Sequence, residues 1–187
     1  MQIPTITTSR LVLRPFSEDD DKRLHGILAE KDILRYFPNP GTPTLDQVRK
    51  LIANQLKHWE EHGFGWWAVE PIGEGMLIGW NGLQYLPDTD EIEVGYLLSK
   101  SHWNQGLATE GAQAGLEFAF GNLGLKQVVA IVHPENMASQ RVIEKLGMNF
   151  THQAEYFGMT VYRYEIDGKD ASCLNGEIVS PKPLSPR

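Results

Sequence analysis

Residues Leu97–Glu110 read LLSKSHWNQGLATE, and they join a β-branched, apolar stretch to a segment with helical periodicity. The preceding Glu91–Leu98 (EIEVGYLL) has the composition of a strand. In the segment that follows, small and apolar residues recur at spacings of three and four, which predicts a helix with one buried stripe. Gly106 and Ala108 leave the backbone unshielded where this helix begins. Because exposed N–H groups and the positive end of the helix dipole converge there, the sequence predicts an anion site, most naturally for a phosphate.

Two nucleotide-binding motifs have a turn of this kind, and neither fits. The P-loop spacing GxxxxGK[ST] is absent. Gly106-x-Ala108-x-x-Gly111 loosely imitates the dinucleotide fingerprint, but that fingerprint requires an acidic residue about twenty positions further on. The residue at that distance is Lys126, which opens the apolar stretch KQVVAIV. The required acidic residue is therefore missing.

The turn resembles the acyl-CoA loop of the GNAT superfamily of N-acetyltransferases, commonly written [QR]xxGx[GA]. Here residues 103–108 read WNQGLA, so that Trp103 replaces the usual Gln or Arg. This replacement, the following Thr-Glu and the preceding EVGY (Glu93–Tyr96) resemble the branch that acetylates the N-termini of ribosomal proteins. The stretch RLVLRPF (Arg10–Phe16) is similar to the opening of that branch.

Composition places the chain among soluble globular proteins. Its 187 residues suffice for one domain with a full core, and 41% are apolar and 22% charged. No apolar run approaches the ~20 residues that span a bilayer, and we see no signal peptide. A lone Cys173 rules out an internal disulfide and fits a reducing cytoplasm. The net charge of −7 argues against nucleic acid as a partner and is compatible with an amine substrate.

Periodicity and turn signals predict the element order βααβββαβαββ, with an antiparallel meander before the loop. This order is also that of the GNAT layout, so the resemblance covers roughly Arg10–Ile166. It implies an α+β or α/β three-layer fold, in which helices cover both faces of a mixed, mostly antiparallel sheet of about seven strands. We predict an N-acetyltransferase domain over residues 1–167 and a tail without a fixed fold over residues 168–187.

The resemblance implies acetyl-CoA as co-substrate and implies no metal. In the resembled fold the strand before the loop and the strand KQVVAIV splay apart, and the pantetheine arm pairs with main-chain groups in the gap. The pyrophosphate lies on the amides of the loop, and an Asn that caps the next helix bonds the arm. The cofactor-binding residues expected on this basis are Leu97, Leu98, Asn104, Gln105, Gly106, Leu107, Ala108, Thr109 and Asn136.

Catalysis requires a base for the amine and help for the departing thiolate. Glu91 and Glu93 share one face of the predicted strand and are the candidate bases; Glu93 lies nearer the gap and matches the acidic residue of the resembled motif. Much of the superfamily uses a Tyr as acid where this chain has Ile143, which cannot donate a proton. The N-terminal-acetylating branch instead has a Ser at the position of Ser139, on the first turn of its helix. Glu93 and Ser139 are therefore the predicted catalytic residues.

The acceptor pocket is built from variable loops rather than from a motif. In the resembled family the loop at residues 32–43 forms one wall of it, so Tyr36 and Phe37 are candidate substrate contacts. A hydrophobic plug beneath the loop is the alternative for this pair. Three tryptophans are expected to divide between the core and the acceptor pocket, namely Trp66, Trp67 and Trp80.

Two functions remain open at this point. The first is direct transfer of an acetyl group from acetyl-CoA to a primary amine on a small molecule or a protein N-terminus. An α-amine, with a pKa of ~7.7–8.0 against ~10.4 for lysine, needs only a weak base. The second is a non-catalytic acyl-CoA-binding or sensing domain, for which Ile143 is the motive. We expect a monomer or homodimer in the cytoplasm, with neither nucleic acid nor a membrane as partner.

Overall fold

The computed structural model describes residues 2–86 and 88–170. Its strands are β1 (Ile6–Thr7), β2 (Leu11–Arg14), β3 (Trp66–Pro71), β4 (Gly79–Tyr85), β5 (Ile92–Leu98), β6 (Gln127–Val132), β7 (Asn149–Tyr156) and β8 (Met159–Asp167). They form one sheet in the order β1-β2-β3-β4-β5-β6-β8-β7. Every neighbouring pair is antiparallel except β5 and β6, which run parallel.

Four α-helices connect the strands in the described residues: α1 (Asp21–Leu28), α2 (Leu45–His62), α3 (Leu107–Gly121) and α4 (Met137–Lys145). The start of α2 is fixed by a capping box. Thr44 Oγ1 accepts a hydrogen bond from the Gln47 N–H, and the Gln47 side chain accepts one from the Thr44 N–H. The helix ends at Gly63, whose φ of 78° lies in the left-handed region that glycine tolerates.

The helices cover both faces of the sheet, as predicted. On one face, α1 and α2 pack over a core in which Ile52 lies with Leu97. On the other face, α3 and α4 contribute Leu116 and Ile143 to a core that contains Leu98. Leu97 and Leu98 belong to different cores because successive strand residues point to opposite faces of a sheet.

Strands β5 and β6 pair at a single position, Glu93 with Val129, within the described residues and then diverge. The other edge of β5 is fully paired with β4. The Ser99 N–H donates to the Ile78 carbonyl at 2.7 Å, and the antiparallel register places Leu97 opposite Trp80. Alternation along this ladder turns the main-chain groups of Leu97 toward β4 and those of Leu98 toward the gap. The gap therefore opens at the carboxyl ends of both strands, where the chain leaves β5 for the turn before α3.

The structure has one strand more than the approximately seven predicted. The additional strand is β1, whose two residues pair with Val12 and Leu13 of β2 and are too few to show an alternating pattern. Of the predicted tail, only residues 168–170 lie among the described residues, and Cys173 lies outside them. In the described part of the chain, no helix combines the length and the apolar character needed to cross a bilayer.

Candidate functional site

The helix start at which the sequence predicts an anion site is the N-terminus of α3. Gly106 is the N-cap with φ of 77°, and Asn104, two residues earlier, is also left-handed with φ of 60°. The first helical hydrogen bond runs from the Glu110 N–H to the Gly106 carbonyl. The N–H groups of residues 107–109 therefore precede the helical ladder and remain as donors for an anion.

Arg10 holds this turn in place. Its Nη1 donates to the Gln105 carbonyl at 2.8 Å, and its Nε donates to Glu110 Oε2 at 2.6 Å. The Glu110 carboxylate also accepts from the Arg10 N–H and from Thr8 Oγ1. Partial burial works to raise the pKa of Glu110, but these hydrogen bonds outweigh burial and lower it. The guanidinium of Arg10 is thus paired with a carboxylate beside the predicted anion site, whose candidate donors are the main-chain N–H groups of residues 107–109.

Trp103 bonds the edge of β5 that faces the gap between β5 and β6. Its Nε1 donates to the Leu98 carbonyl at 2.7 Å. The Leu98 N–H is then the main-chain donor that β5 turns toward the gap at this level. Leu97 was also predicted to contact a ligand through its main chain, but its main-chain groups pair with β4. In the structure, the main-chain groups of Leu98 thus face the gap, and those of Leu97 face β4.

Glu93 lies buried where β5 and β6 part, with 8% of its surface exposed. Its carboxylate accepts hydrogen bonds from Gln84 Nε2 at 2.8 Å and from the Ile131 N–H. In a continuing parallel ladder that N–H would bond the main chain of β5. Burial raises the pKa of Glu93 from 4.5 to about 7, although both hydrogen bonds act to lower it. A carboxyl group that titrates near neutral pH is suited to act as a general base.

Glu91, the other candidate base, has a different environment. Its Oε1 lies 2.5 Å from Arg163 Nη2, and its Oε2 accepts from the Tyr156 hydroxyl at 2.5 Å. Partial burial favours a higher pKa for Glu91, but the Arg163 guanidinium and the Tyr156 hydroxyl outweigh it and lower the pKa. Because its pKa is lowered and it is paired with a guanidinium, Glu91 is the weaker candidate base; its contacts join the residue before β5 to β7 and β8.

Ser139 lies on the first turn of α4 beside a hydroxyl of β5. Its Oγ lies 2.8 Å from the Tyr96 hydroxyl, which also donates to the Ser139 carbonyl at 3.2 Å. Burial raises the pKa of the Tyr96 phenol, so this hydroxyl remains protonated. Tyr96 was not predicted as a site residue, although its place in the EVGY motif was the available signal. The structure therefore supplies a pair of hydroxyls, while Ile143 is 2% exposed in the core.

Asn136 caps α4, as predicted. Its Oδ1 accepts from the Ser139 N–H at 3.2 Å. The side-chain nitrogen of Asn136 has no hydrogen-bond partner within residues 2–86 and 88–170, so capping leaves one amide donor for a ligand. Ser139 is consequently held at its N–H by Asn136 and at its hydroxyl by Tyr96.

The loop between α1 and α2 crosses the open end of the gap. Tyr36 stacks on His133, the residue after β6, with ring centroids 5.2 Å apart. Phe37 lies edge-on to Trp80 of β4 at 6.5 Å. Two adjacent residues of one loop thus contact strands on opposite sides of β5. Phe37 also packs against the core beneath the loop, as the hydrophobic-plug alternative predicts, and its contact with a substrate stays a prediction.

A cavity of about 650 Å³ lies beneath this loop, beside Leu97. Trp66 and Trp80 line it, and their rings stack with centroids 3.7 Å apart and planes 6° from parallel. Trp67, by contrast, is fully buried in the core against Trp59. Two of the three tryptophans therefore line a cavity and one lies in the core.

Comparison with known proteins agrees with this architecture. The family model for the acetyltransferase (GNAT) domain matches residues 10–149. The probable N-acetyltransferase YjcK of Bacillus subtilis is 39% identical over 148 residues, which are 74% of this chain and 80% of YjcK. The crystal structure of an acetyltransferase from Agrobacterium tumefaciens is 28% identical, with a TM-score of 0.79 over 89% of this chain and 95% of that chain.

A further structure has the same fold at lower identity. It is RimL, a ribosomal L7/L12 α-N-protein acetyltransferase in complex with coenzyme A, which is 18% identical with a TM-score of 0.74 over 89% of this chain and 98% of RimL. The family match spans β2 to the start of β7, and therefore includes the splayed strands, the turn before α3 and the hydroxyl pair. On this evidence the chain belongs to the GNAT family of acetyl-CoA-dependent N-acetyltransferases.

Proposed function

We propose that this protein transfers the acetyl group of acetyl-CoA to an α-amine by direct attack of the amine. The observation that carries the proposal is the divergence of β5 and β6 beside the N-terminus of α3. A gap edged by a main-chain donor, with a cluster of N–H groups at its end, fits an extended arm that terminates in phosphates.

The residues around the gap fit such a ligand. The Leu98 N–H and the Asn136 amide would bond the arm, and the amides of residues 105–109 would bond the pyrophosphate. When bound, acetyl-CoA supplies a thioester whose C–S bond breaks as the C–N bond to the amine forms. The amine must lose a proton in this exchange and the departing sulfur must gain one, and the protein provides a group for each transfer.

Glu93 is the proposed proton acceptor. Its pKa of about 7 lies ~1 unit below that of an α-amine and ~3 units below that of a lysine amine. Proton transfer from an α-amine to Glu93 is therefore only slightly unfavourable, whereas transfer from lysine is strongly unfavourable. This difference supports an α-amine as the acceptor.

Ser139 is the proposed donor to the departing sulfur. The Tyr96 hydroxyl carries one proton, which can go either to the Ser139 carbonyl or to Ser139 Oγ; in the second arrangement the serine proton is left to face the leaving group. A thiol with a pKa of ~8.5 leaves readily near neutral pH, so partial help from a hydroxyl suffices. Ile143 was the motive for a binding-only domain, and the Tyr96–Ser139 pair supplies the hydroxyl that Ile143 lacks.

Turnover with matched peptides tests the proposal. A peptide with a free N-terminus should be acetylated faster than the same peptide with a blocked N-terminus and a lysine. Ser139→Ala and Tyr96→Phe should each lower kcat by about tenfold or more, with acetyl-CoA affinity in calorimetry nearly unchanged, because the lost bond acts on the leaving group. Tyr162→Phe on β8 is the matched control. Binding of acetyl-CoA without acetylation of any amine would contradict the proposal.

A further inference from the structure

We propose that the cavity beside Leu97 receives a large, uncharged, apolar group of the acceptor. The preferred substrate would then be a primary amine that carries an aromatic or branched aliphatic side group. This inference rests on the proposed function, whose amine it specifies. The cavity volume of about 650 Å³ lies within the ~300–1,000 Å³ that is typical of small-molecule sites.

The first support is the position of the cavity. Leu97 lines it, and the next residue, Leu98, turns its N–H toward the gap between β5 and β6. Phe37 lines it as well, and the preceding Tyr36 stacks on His133 at the end of β6. A side group held in the cavity therefore lies beside the open end of the gap, where an attached amine can reach a thioester.

The second support is the chemistry of the wall, in which no lining residue is charged. Its polar members are one asparagine, one threonine and one glutamine. An ammonium or carboxylate placed there would lose its hydration without gaining an ionic partner. An apolar group instead gains by leaving water. The apolar part of the wall includes Leu28, Leu34, Phe37, Leu51, Trp66 and Trp80.

The third support is the aromatic floor. Trp66 and Trp80 stack face to face, and Trp80 is 5% exposed, so this part of the wall is rigid. Trp66 Nε1 is buried and has no hydrogen-bond partner in the described part of the chain. The floor is thus an aromatic, apolar surface, which suits a flat ring better than a flexible cationic chain.

A substrate panel tests the inference. It consists of tripeptides that end in two glycines and begin with phenylalanine, serine or lysine, together with 2-phenylethylamine and spermidine. We expect kcat/KM for the phenylalanine-led peptide to exceed that of the serine-led peptide by about 10-fold to 100-fold, the effect of burying one aromatic side chain. The lysine-led peptide and spermidine should gain nothing over serine. Comparison of 2-phenylethylamine with the phenylalanine-led peptide separates a small amine from a peptide as the source of the ring.

Three variants locate the effect. Leu51→Glu places a carboxylate in the cavity wall. Gln47→Glu places one at the rim and preserves the capping box, because the new carboxylate can still accept from the Thr44 N–H. Leu56→Glu is the matched control, since Leu56 packs against the same core but does not line the cavity. The first two should reduce the phenylalanine-to-lysine ratio of kcat/KM, by about tenfold and a few-fold respectively, and the control should leave it unchanged. Because both rates come from one preparation, partial unfolding cancels in the ratio.

Failure of this inference is distinguishable from failure of the proposed function. If the lysine-led peptide is preferred and is acetylated at its α-amine, the inference is overturned and the proposed function stands; if spermidine is preferred, the inference and the choice of an α-amine are both overturned. If no amine is acetylated, quenching of tryptophan fluorescence by 2-phenylethylamine in the presence of coenzyme A reports on the cavity directly. Quenching that Leu51→Glu abolishes then supports an apolar site without catalysis, and its absence overturns both proposals.

Discussion

At the scale of single residues, Glu93 combines a structural position in the gap between β5 and β6 with a pKa that suits the proposed base. Its carboxylate occupies the point where β5 and β6 part, and it takes the Ile131 N–H that the interrupted ladder leaves over. The carboxylate thereby satisfies a buried main-chain donor that has no partner on β5. Burial also raises the pKa of the Glu93 carboxyl to near neutral, which suits a general base.

Glu93→Gln should separate these two roles. The unfolded pKa is near 4.5 and the folded pKa about 7, so between these values the folded protein binds more protons than the unfolded chain. The free energy of unfolding should therefore fall as pH rises from 4.5 to about 7, and stay low above that range. Glutamine is neutral and keeps a carbonyl for the Ile131 N–H, so the variant should be more stable than wild type above pH 7 in urea denaturation.

The same variant should lose kcat/KM by about tenfold or more, because it has no proton acceptor. Glu60→Gln, on the exposed face of α2, is the control and should change neither quantity. A Glu93→Gln protein that is less stable than wild type at every pH would show that the ionised carboxylate is itself stabilising, and the assignment of a raised pKa would be wrong.

The sequence singles out Glu93, Ser139 and Asn136 as candidate site residues, and their roles stay predictions, whereas it does not single out Tyr96. The Tyr96–Ser139 contact joins residues 43 positions apart across the gap, and local patterns carry no information about how a strand docks on a distant helix. The sequence predicts both Leu97 and Leu98 as cofactor contacts, and for a related reason it does not show which of the two turns its main-chain groups toward the gap. Which residue of a strand faces which neighbour depends on the pairing register with β4, and that register is set by tertiary structure.

At the scale of elements, the turn before α3 was the best-predicted feature, because its glycine has a local physical requirement. Gly106 has a positive φ that residues with a Cβ adopt only with strain, and the helix that follows has a clear period. The short β1 was missed because its existence depends on pairing with β2 and not on its own two residues.

Gly106→Ala and Gly121→Ala should have opposite effects on the free energy of unfolding, although both replace a glycine at an end of α3. At Gly106 the left-handed φ of 77° should cost ~1–2 kcal/mol, while the added Cβ would lie at an ordinary contact distance of 3.5 Å from Arg10 Nη2. At Gly121 the added Cβ meets no atom within 4 Å, and the φ is not left-handed, so stability should rise by about 0.4–1 kcal/mol.

Calorimetry with acetyl-CoA distinguishes strain from site geometry in this pair. Gly106→Ala should weaken binding, because relief of the strain turns the N–H groups of residues 107–109 away from the ligand, whereas Gly121→Ala should bind as wild type does. Equal affinities for the two variants would mean that the anion site does not depend on the left-handed turn.

At the scale of the whole molecule, the sheet consists of two parts that meet along one short line. Strands β1–β5 form the first part and β6, β8 and β7 the second, and Glu93–Val129 is their one paired position in the described ranges. Next to this position, Arg163 of β8 forms an ion pair with Glu91. The Arg163 Nη1 also donates to Glu165 at 2.7 Å and to Thr151 at 2.9 Å. The element order could be predicted from periodicity. The contact between Arg163 and Glu91 could not, because the two residues are 72 positions apart in the sequence.

Arg163→Ala should therefore destabilise the molecule strongly. Arg163 is 7% exposed, and its removal leaves the Glu91 carboxylate without its cation, for which a loss of ~3–5 kcal/mol in the free energy of unfolding is expected. Lys57→Ala, which breaks an exposed pair with Glu61 on α2, should cost no more than about 0.5 kcal/mol. Urea denaturation of both variants measures the difference. Similar losses would mean that the two parts of the sheet are held together by apolar packing alone.

The gap between β5 and β6 and the apolar cavity are built from different segments, and this has a consequence for evolution. The gap and its surroundings belong to the sheet, α3 and α4. Most of the cavity wall comes from the loop at residues 33–43 and the first turns of α2. Insertions and substitutions in that loop leave the acyl donor's site untouched. If the cavity receives the acceptor, as proposed, lineages descended from one such enzyme could exchange one acceptor for another through a single surface segment, and sequence identity should decay fastest in that segment.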